Sequence, residues 1–116
     1  MTYRLFVYGS LKRGFAHHRE LLGASLEGET RTMPNYRLVR HGDYPALVEG
    51  GSAAVSGEVY RVGVELLERL DVFEGCPELY QRGRVLLADG SDALAYLITP
   101  ALAATCPEIP GGQWTD

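Results

Sequence analysis

Apolar side chains follow one another almost without interruption from Tyr3 to Tyr8. A continuous apolar run of this length indicates a strand that is buried on both faces. Shorter runs of β-forming residues follow at about residues 24–32, 36–40, 45–49 and 54–62, and Gly, Pro and Asn separate them. This alternation of short runs and turn residues predicts several strands joined by tight connections.

Two further runs, at residues 84–88 and 92–98, flank the dipeptide Asp89-Gly90. Asp-Gly between two β-like runs is a strong signal for a hairpin turn. The tail that begins at Pro100 is rich in Pro and Gly, and we expect it to wrap around the surface.

Two segments have helical character. Residues 17–23 predict a short helix that ends at Gly23. The segment Val64–Phe73 is the stronger helix, because its apolar residues form one stripe at i, i+1, i+4 and i+7. The stripe consists of Leu66, Leu67, Leu70 and Phe73.

Glu74 continues this stripe, four residues after Leu70, so helical geometry turns its carboxylate towards the interior. Gly75 and Pro77 then end the helix. Partial burial and the negative end of the helix dipole would both raise the pKa of this carboxyl group. A carboxyl group tuned towards neutrality can both accept and donate a proton. The alternative is that Glu74 lies just past the helix, points to water and has no role.

Strands dominate and the helices are short, which predicts an α+β fold with a curled sheet or small barrel and helices packed outside. A chain of 116 residues with 46% apolar residues fits a single domain, residues 1–116. The formal net charge of −4 and the scattered basic residues argue against a nucleic-acid partner.

No apolar run reaches the roughly 20 residues that span a bilayer, so no membrane partner is expected. The N-terminus has no signal-peptide pattern, which favours a cytoplasmic location. Cys76 and Cys106 are therefore expected to remain free thiols. The spacing of cysteine and histidine resembles no zinc site, and we expect no metal and no cofactor.

The β-run ends abruptly at Gly9-Ser10. Glycine allows a sharp turn and the close approach of another group, and backbone N–H groups freed at a strand end can form an anion-binding nest. The junction is therefore a candidate site for a carboxylate or phosphate.

Two segments together carry a family resemblance. Val7–Gly14 resembles the N-terminal signature of the γ-glutamylcyclotransferase-like superfamily, and Leu70–Arg82 resembles its catalytic segment. Residues 42–45 and 57–60 resemble further landmarks in the same order. The resemblance covers residues 3–98 and is closest to compact bacterial-type members of the γ-glutamylamine cyclotransferase branch.

The resemblance implies a small mixed β-barrel with short flanking helices. It also implies that a small-molecule γ-glutamyl amide is cleaved by intramolecular cyclisation, releasing 5-oxoproline and an amine without a cofactor. Such an enzyme would be a monomer or a weak homodimer. By position, Glu74 matches the catalytic acid and base, and the substrate-binding residues would be Tyr8, Gly9, Ser10, Leu11 and Tyr80.

Several alternatives stay open. Tyr80 could orient the substrate or could be a core aromatic residue. Tyr44 and Tyr96 are expected to serve in packing, although either could line the pocket. His17 and His18 are expected to form a solvated helix start. The same residues would serve a cyclotransferase for γ-glutamyl dipeptides or glutathione. A non-enzymatic module that binds a small amino-acid-like ligand is the third possibility.

Overall fold

Short strands provide most of the regular structure in residues 1–115, the part of the chain that the structure, a computed structural model, describes. The strands are β1 (Thr2–Val7), β2 (Ser25–Arg31), β3 (Tyr36–His41), β4 (Tyr44–Glu49), β5 (Ser56–Gly63), β6 (Gln81–Leu86) and β7 (Asp92–Leu97). The α-helices are α1 (Val64–Phe73) and α2 (Pro100–Ala103), and 3₁₀ turns lie at His18–Leu21 and Pro110–Gly112.

Most elements lie where the sequence pattern predicts them. Helix α1 has the predicted bounds, and Gly90, with φ of 88°, occupies the turn between β6 and β7. The helix expected at residues 17–23 is only a four-residue 3₁₀ turn, and His17, at its N-cap position, makes no side-chain capping bond. A segment this short cannot sustain an α-helix without caps or strong packing. None of the helices in residues 1–115 has the length and apolar character needed to cross a membrane.

All the strands belong to one mixed sheet in the order β2-β5-β1-β7-β4-β3, and β6 pairs separately with β7. Strand β7 runs parallel to β1 at Leu5–Leu94 and parallel to β4 at Leu47–Leu97. The other pairs are antiparallel. One edge of β7 therefore pairs with two strands, with β1 at Leu94 and with β4 at Leu97.

The α+β class is confirmed, and barrel is a loose description of the sheet, because the sheet is not closed. Within residues 1–115, the terminal strands β2 and β3 form no ladder with each other. Strands β2 and β6 approach each other through one isolated bridge between Thr32 and Leu87. A closed barrel needs continuous strand pairing around its whole circumference. Here β7 pairs with both β1 and β4, so β4 and its partner β3 form a separate branch of the sheet.

Strand β1 is buried on both faces, as its continuous apolar run predicts. Leu5 and Val7 belong to a core cluster that includes Leu67 and Leu70 of α1. Phe6 points into a second cluster on the other face, together with strand residues from β3, β4, β5, β6 and β7. Alternate side chains of a strand point to opposite faces, so β1 lies in the middle of the molecule and its end opens into the interior.

The expectation that the tail only wraps the surface is wrong for Trp114. This side chain is 5% exposed and belongs to the second core cluster. The Arg40 guanidinium lies 4.8 Å from the centre of its ring. The large apolar area of the indole explains why the tail enters the core despite its Pro and Gly content.

Candidate active site

A cavity of about 230 Å³ lies between the end of β1, the start of β4 and the C-terminal end of α1. It brings together every site residue predicted from the sequence. These are Tyr8, Gly9, Ser10, Leu11, Glu74 and Tyr80. The rest of the wall is formed by Phe6, Val7, His17, Tyr44, Pro45, Phe73, Leu79 and Tyr96.

Glu74 follows the last residue of α1, and its backbone N–H still donates to the Leu70 carbonyl oxygen at 2.8 Å. Gly75, with φ of 70°, then turns the chain out of the helix. The side chain is partly buried, and this burial raises the pKa of the Glu74 carboxyl from 4.5 to about 7. The group can therefore be present in both its acidic and its basic form near neutral pH.

Tyr8 occupies the place where β4 and β7 separate. Its hydroxyl donates to the Tyr96 carbonyl oxygen at 2.6 Å and accepts from the Leu47 N–H at 3.1 Å. In a regular parallel ladder this N–H and this carbonyl would bond directly, because Leu47 is paired with Leu97. The Tyr8 hydroxyl thus replaces one bond of the sheet and holds the strands apart at the cavity.

Gly9 allows the close packing of the segment after β1 against β4. A Cβ atom at Gly9 would lie 2.7 Å from Cγ of Pro45, so no larger residue fits there without movement. The carbonyl oxygen of Pro45 accepts a 2.7 Å bond from the Tyr80 hydroxyl. Gly9, Pro45 and Tyr80 therefore form one packed wall of the cavity.

Residues 8–11, which we call the β1 loop, are held by the segment that follows them. The His17 N–H donates to the Ser10 carbonyl oxygen at 2.8 Å, and His17 Nδ1 lies 2.9 Å from Ser10 Oγ. Within residues 1–115, the N–H groups of Gly9, Ser10 and Leu11 donate no hydrogen bond. These donors suit a carboxylate or a developing oxyanion.

His17 and His18 are not the solvated helix start expected from the sequence. His17 lines the cavity, and its ring lies 5.4 Å from that of Phe73 and 5.8 Å from that of Tyr44. His18 Nδ1 lies 2.9 Å from the Leu11 carbonyl oxygen. The ring contacts of His17 with Tyr44 and Phe73 join distant parts of the chain, so no local pattern could have revealed them.

In Tyr80 and Tyr96, whose roles were open, the hydroxyl group is already hydrogen-bonded to other parts of the protein. Tyr80 is buried and bonded to Pro45, so it shapes the wall through its ring. Burial and the nearby Glu74 carboxylate raise the pKa of Tyr80. Tyr96 donates to Asp71 Oδ1 at 2.8 Å, and Asp71 also accepts from Arg82 Nη1 at 2.9 Å. This network ties α1 to β6 and β7 one turn before Glu74.

Residues 1–115 contain no group of three or more His, Cys, Asp or Glu side chains placed to hold a metal ion. Cys76 and Cys106 are free and partly buried, and both pack against the core cluster beside α1.

The fold and the cavity define a class of small α+β proteins in which a carboxyl group at a helix end lines the same cavity as a glycine-containing loop at a strand end. The profile of one family, described as γ-glutamyl cyclotransferase, AIG2-like, matches residues 5–116. The chain belongs to this family.

Similar proteins come from bacteria and vertebrates. The chain is 41% identical over 85 residues to a Vibrio cholerae protein provisionally named γ-glutamylcyclotransferase, and the match covers 73% of each chain. It is 44% identical over 87 residues to human γ-glutamylaminecyclotransferase, covering 67% of this chain and 57% of the human one. The bovine γ-glutamylaminecyclotransferase is 42% identical over 93 residues, with 72% and 55% covered. The match thus spans little more than half of these vertebrate relatives.

Solved structures share the fold. An AIG2-like protein from Mus musculus superposes with a TM-score of 0.78 at 28% identity, covering 99% of this chain and 95% of the mouse chain. A uropathogenic E. coli-specific protein superposes with a TM-score of 0.82 at 28% identity, covering 94% and 88%. The overall fold is therefore shared with a bacterial and a mammalian structure.

Proposed function

We propose that this chain is a γ-glutamylamine cyclotransferase. It would cleave a small γ-glutamyl amide through attack of the substrate's own α-amine on the γ-carbonyl, releasing 5-oxoproline and a free amine. The observation that carries this proposal is the Glu74 carboxyl, whose pKa of about 7 places it in the acid–base range and which lines the same cavity as the β1 loop. Family membership supports the same reaction.

The reaction begins with proton transfer, because the α-ammonium group of the substrate cannot attack while it is protonated. The Glu74 carboxylate accepts this proton. The amine nitrogen then bonds to the γ-carbon and closes a five-membered ring, and the carbonyl oxygen becomes an oxyanion. As the oxyanion collapses, the protonated Glu74 gives its proton to the leaving nitrogen and the bond to that nitrogen breaks. The regenerated Glu74 carboxylate then takes the second proton from the ring nitrogen and passes it to the released amine, which leaves as an ammonium group.

The chain supplies little more than position and charge stabilisation for this step. Nucleophile and electrophile belong to one molecule, so holding the substrate in a folded conformer accounts for much of the acceleration. The N–H groups of Gly9, Ser10 and Leu11 would hold the substrate α-carboxylate or the oxyanion. Tyr8 and Tyr80 would shape the pocket through their rings, since their hydroxyls bond the backbone.

Ser10 is not assigned as a nucleophile. Its Oγ is paired with His17, but the proposed reaction forms no covalent enzyme intermediate. We assign the Ser10 hydroxyl to the shape of the β1 loop.

The proposal includes the setting of the enzyme. Residues 1–116 would act as one domain, in the cytoplasm, as a monomer or a weak homodimer. The two other candidates are a cyclotransferase for γ-glutamyl dipeptides or glutathione, and a module that binds such ligands without turnover.

The test measures, by mass spectrometry, the release of 5-oxoproline from a panel of γ-glutamyl amides. We expect Glu74→Gln to keep its fold and to lose activity by a factor of about 100 to 10,000, because the carboxyl moves the proton in both steps. Glu78→Gln is the matched control, since Glu78 is exposed and lies outside the cavity wall. Full turnover by Glu74→Gln would disprove the mechanism, and tight binding of 5-oxoproline without any turnover would favour the binding module.

A further inference from the structure

Three aromatic rings surround the open side of the cavity, and we call them the aromatic mouth: His17, Tyr44 and Phe73. They come from the segment after β1, the first residue of β4 and the last residue of α1. His17 lies between the other two, 5.8 Å from Tyr44 and 5.4 Å from Phe73 between ring centres. The three rings thus form one continuous surface.

This surface is uncovered, in contrast to the opposite wall. Tyr44 is 49% exposed and Phe73 is 42% exposed, whereas Tyr8 and Leu11 are 6% and 5% exposed. The cavity is therefore buried at Tyr8 and Leu11 of the β1 loop and exposed at Tyr44 and Phe73, with His17 and Ser10 in contact between them. Exposed apolar surface at the rim of a cavity commonly marks a binding surface.

The charges of the wall limit what can bind at the open end. Glu74 is the one carboxylate among the described residues that line the cavity, and the wall contains no Lys or Arg. An uncharged ring placed here would lose little hydration and would need no charged partner.

We propose that the aromatic mouth is the subsite for the leaving amine, and that it selects amines carrying a flat apolar ring over amines that lack one. The inference rests on the proposed function. If the buried β1 loop holds the amino-acid end of the substrate, the substituent on the γ-nitrogen extends towards the open end. There it meets Tyr44, His17 and Phe73, and edge or tilted ring contacts stabilise it.

Three substrates separate the contributions of the ring and the charge. γ-Glutamylphenethylamide carries the ring, γ-glutamylphenylalanine adds one carboxylate to it, and γ-glutamylmethylamide lacks the ring. We expect kcat/KM for the phenethylamide to exceed that for the methylamide by about tenfold, a ratio equivalent to about 1.4 kcal/mol. We expect the phenylalanine compound to be at least about tenfold poorer than the phenethylamide, because its carboxylate is unpaired.

Tyr44→Ala tests whether the mouth is responsible for the preference. It should reduce the ratio between phenethylamide and methylamide to near one, chiefly through a higher KM for the phenethylamide, because ring binding precedes the chemical step. Tyr44→Phe keeps the ring and should keep the ratio. Val72→Ala is the matched control, since Val72 is 81% exposed and lies outside the cavity wall.

Thermal unfolding of each variant verifies that it is folded, and Tyr44→Leu replaces Tyr44→Ala if the latter does not fold. Equal kcat/KM for the phenethylamide and the methylamide, or an unchanged ratio in the Tyr44 variants that lack the ring, would overturn the subsite while leaving the proposed function intact. Equal kcat/KM for the phenethylamide and the phenylalanine compound would instead favour the dipeptide cyclotransferase over the proposed function. Absence of 5-oxoproline from all three substrates would instead overturn the proposed function itself.

Discussion

Glu74 combines two properties that oppose each other, a charge and a partly buried position. It follows Leu70 on the interior stripe of α1, but its carboxyl has no hydrogen-bonding side-chain partner among residues 1–115. Burial therefore acts on it without compensation and raises its pKa to about 7. A group that disfavours its own charged form destabilises the fold near neutral pH, which is a common property of catalytic positions.

The cost to stability depends on pH in a defined direction. The folded-state pKa of about 7 lies above the ordinary value of 4.5, so ionisation is harder in the folded state. The cost is absent below pH 4.5 and is fully present once the pH has risen through 7. We expect Glu74→Gln to be more stable than the wild type at pH 8 by about 3 kcal/mol, and equally stable near pH 4.

Urea unfolding of both proteins at the two pH values measures this difference. Glu78→Gln serves as the control, because Glu78 is exposed and its replacement should give no pH-dependent gain. Equal stability of Glu74→Gln and the wild type at pH 8 would show that the Glu74 carboxylate is well solvated, contrary to its position in the structure.

Among the secondary structure elements, β7 determines where the cavity opens. One of its edges pairs with β6 along the whole strand, while the other is divided between β1 and β4. The Tyr8 hydroxyl fills the gap by bonding Leu47 and Tyr96. The gap between β4 and β7 thus lies at the cavity, because Tyr8 both fills the gap and lines the cavity.

Removal of the Tyr8 hydroxyl tests this interpretation. Tyr8→Phe leaves a buried N–H group at Leu47 and a carbonyl group at Tyr96 without this partner, and we expect a loss of about 2 to 3 kcal/mol in the free energy of unfolding. Tyr80→Phe is the matched control, because it affects only the Pro45 carbonyl and should cost about 1 kcal/mol. Equal losses in denaturant unfolding would mean that β4 and β7 close the gap by bonding directly.

At the scale of the whole molecule, the C-terminal tail completes the core. Trp114 is buried in the second core cluster, and its carbonyl oxygen accepts a 2.9 Å bond from Lys12 Nζ. Lys12 directly follows the β1 loop. The tail therefore supports the same region of the chain that forms one end of the cavity.

Trp114→Ala should consequently weaken the whole fold. Removal of a buried indole leaves a large cavity, and we expect a loss of about 3 kcal/mol or more in the free energy of unfolding. Leu22→Ala, at a side chain that is 84% exposed, should be close to neutral. Both are measured by thermal or denaturant unfolding, and a near-neutral Trp114→Ala would show that the tail is dispensable for stability.

Local patterns were sufficient for the elements that carry the proposed chemistry. The stripe of α1 predicts both its bounds and the inward position of Glu74, and Asp89-Gly90 predicts the β6–β7 hairpin. The prediction is weakest at residues 17–23, where a short segment forms only a 3₁₀ turn. Periodicity and turn chemistry act over a few residues, so they determine long, regular elements better than short ones.

The sequence by itself thus determined the class of fold, the strand that ends at Gly9 and the helix that ends at Glu74, because each depends on neighbouring residues. Only the tertiary structure decided that the sheet is open, that His17 joins the cavity wall and that Trp114 is buried. The Tyr8 hydroxyl meets a residue 39 positions away, and Lys12 meets one 102 positions away. Contacts of this range depend on how the elements pack together, which no local pattern specifies.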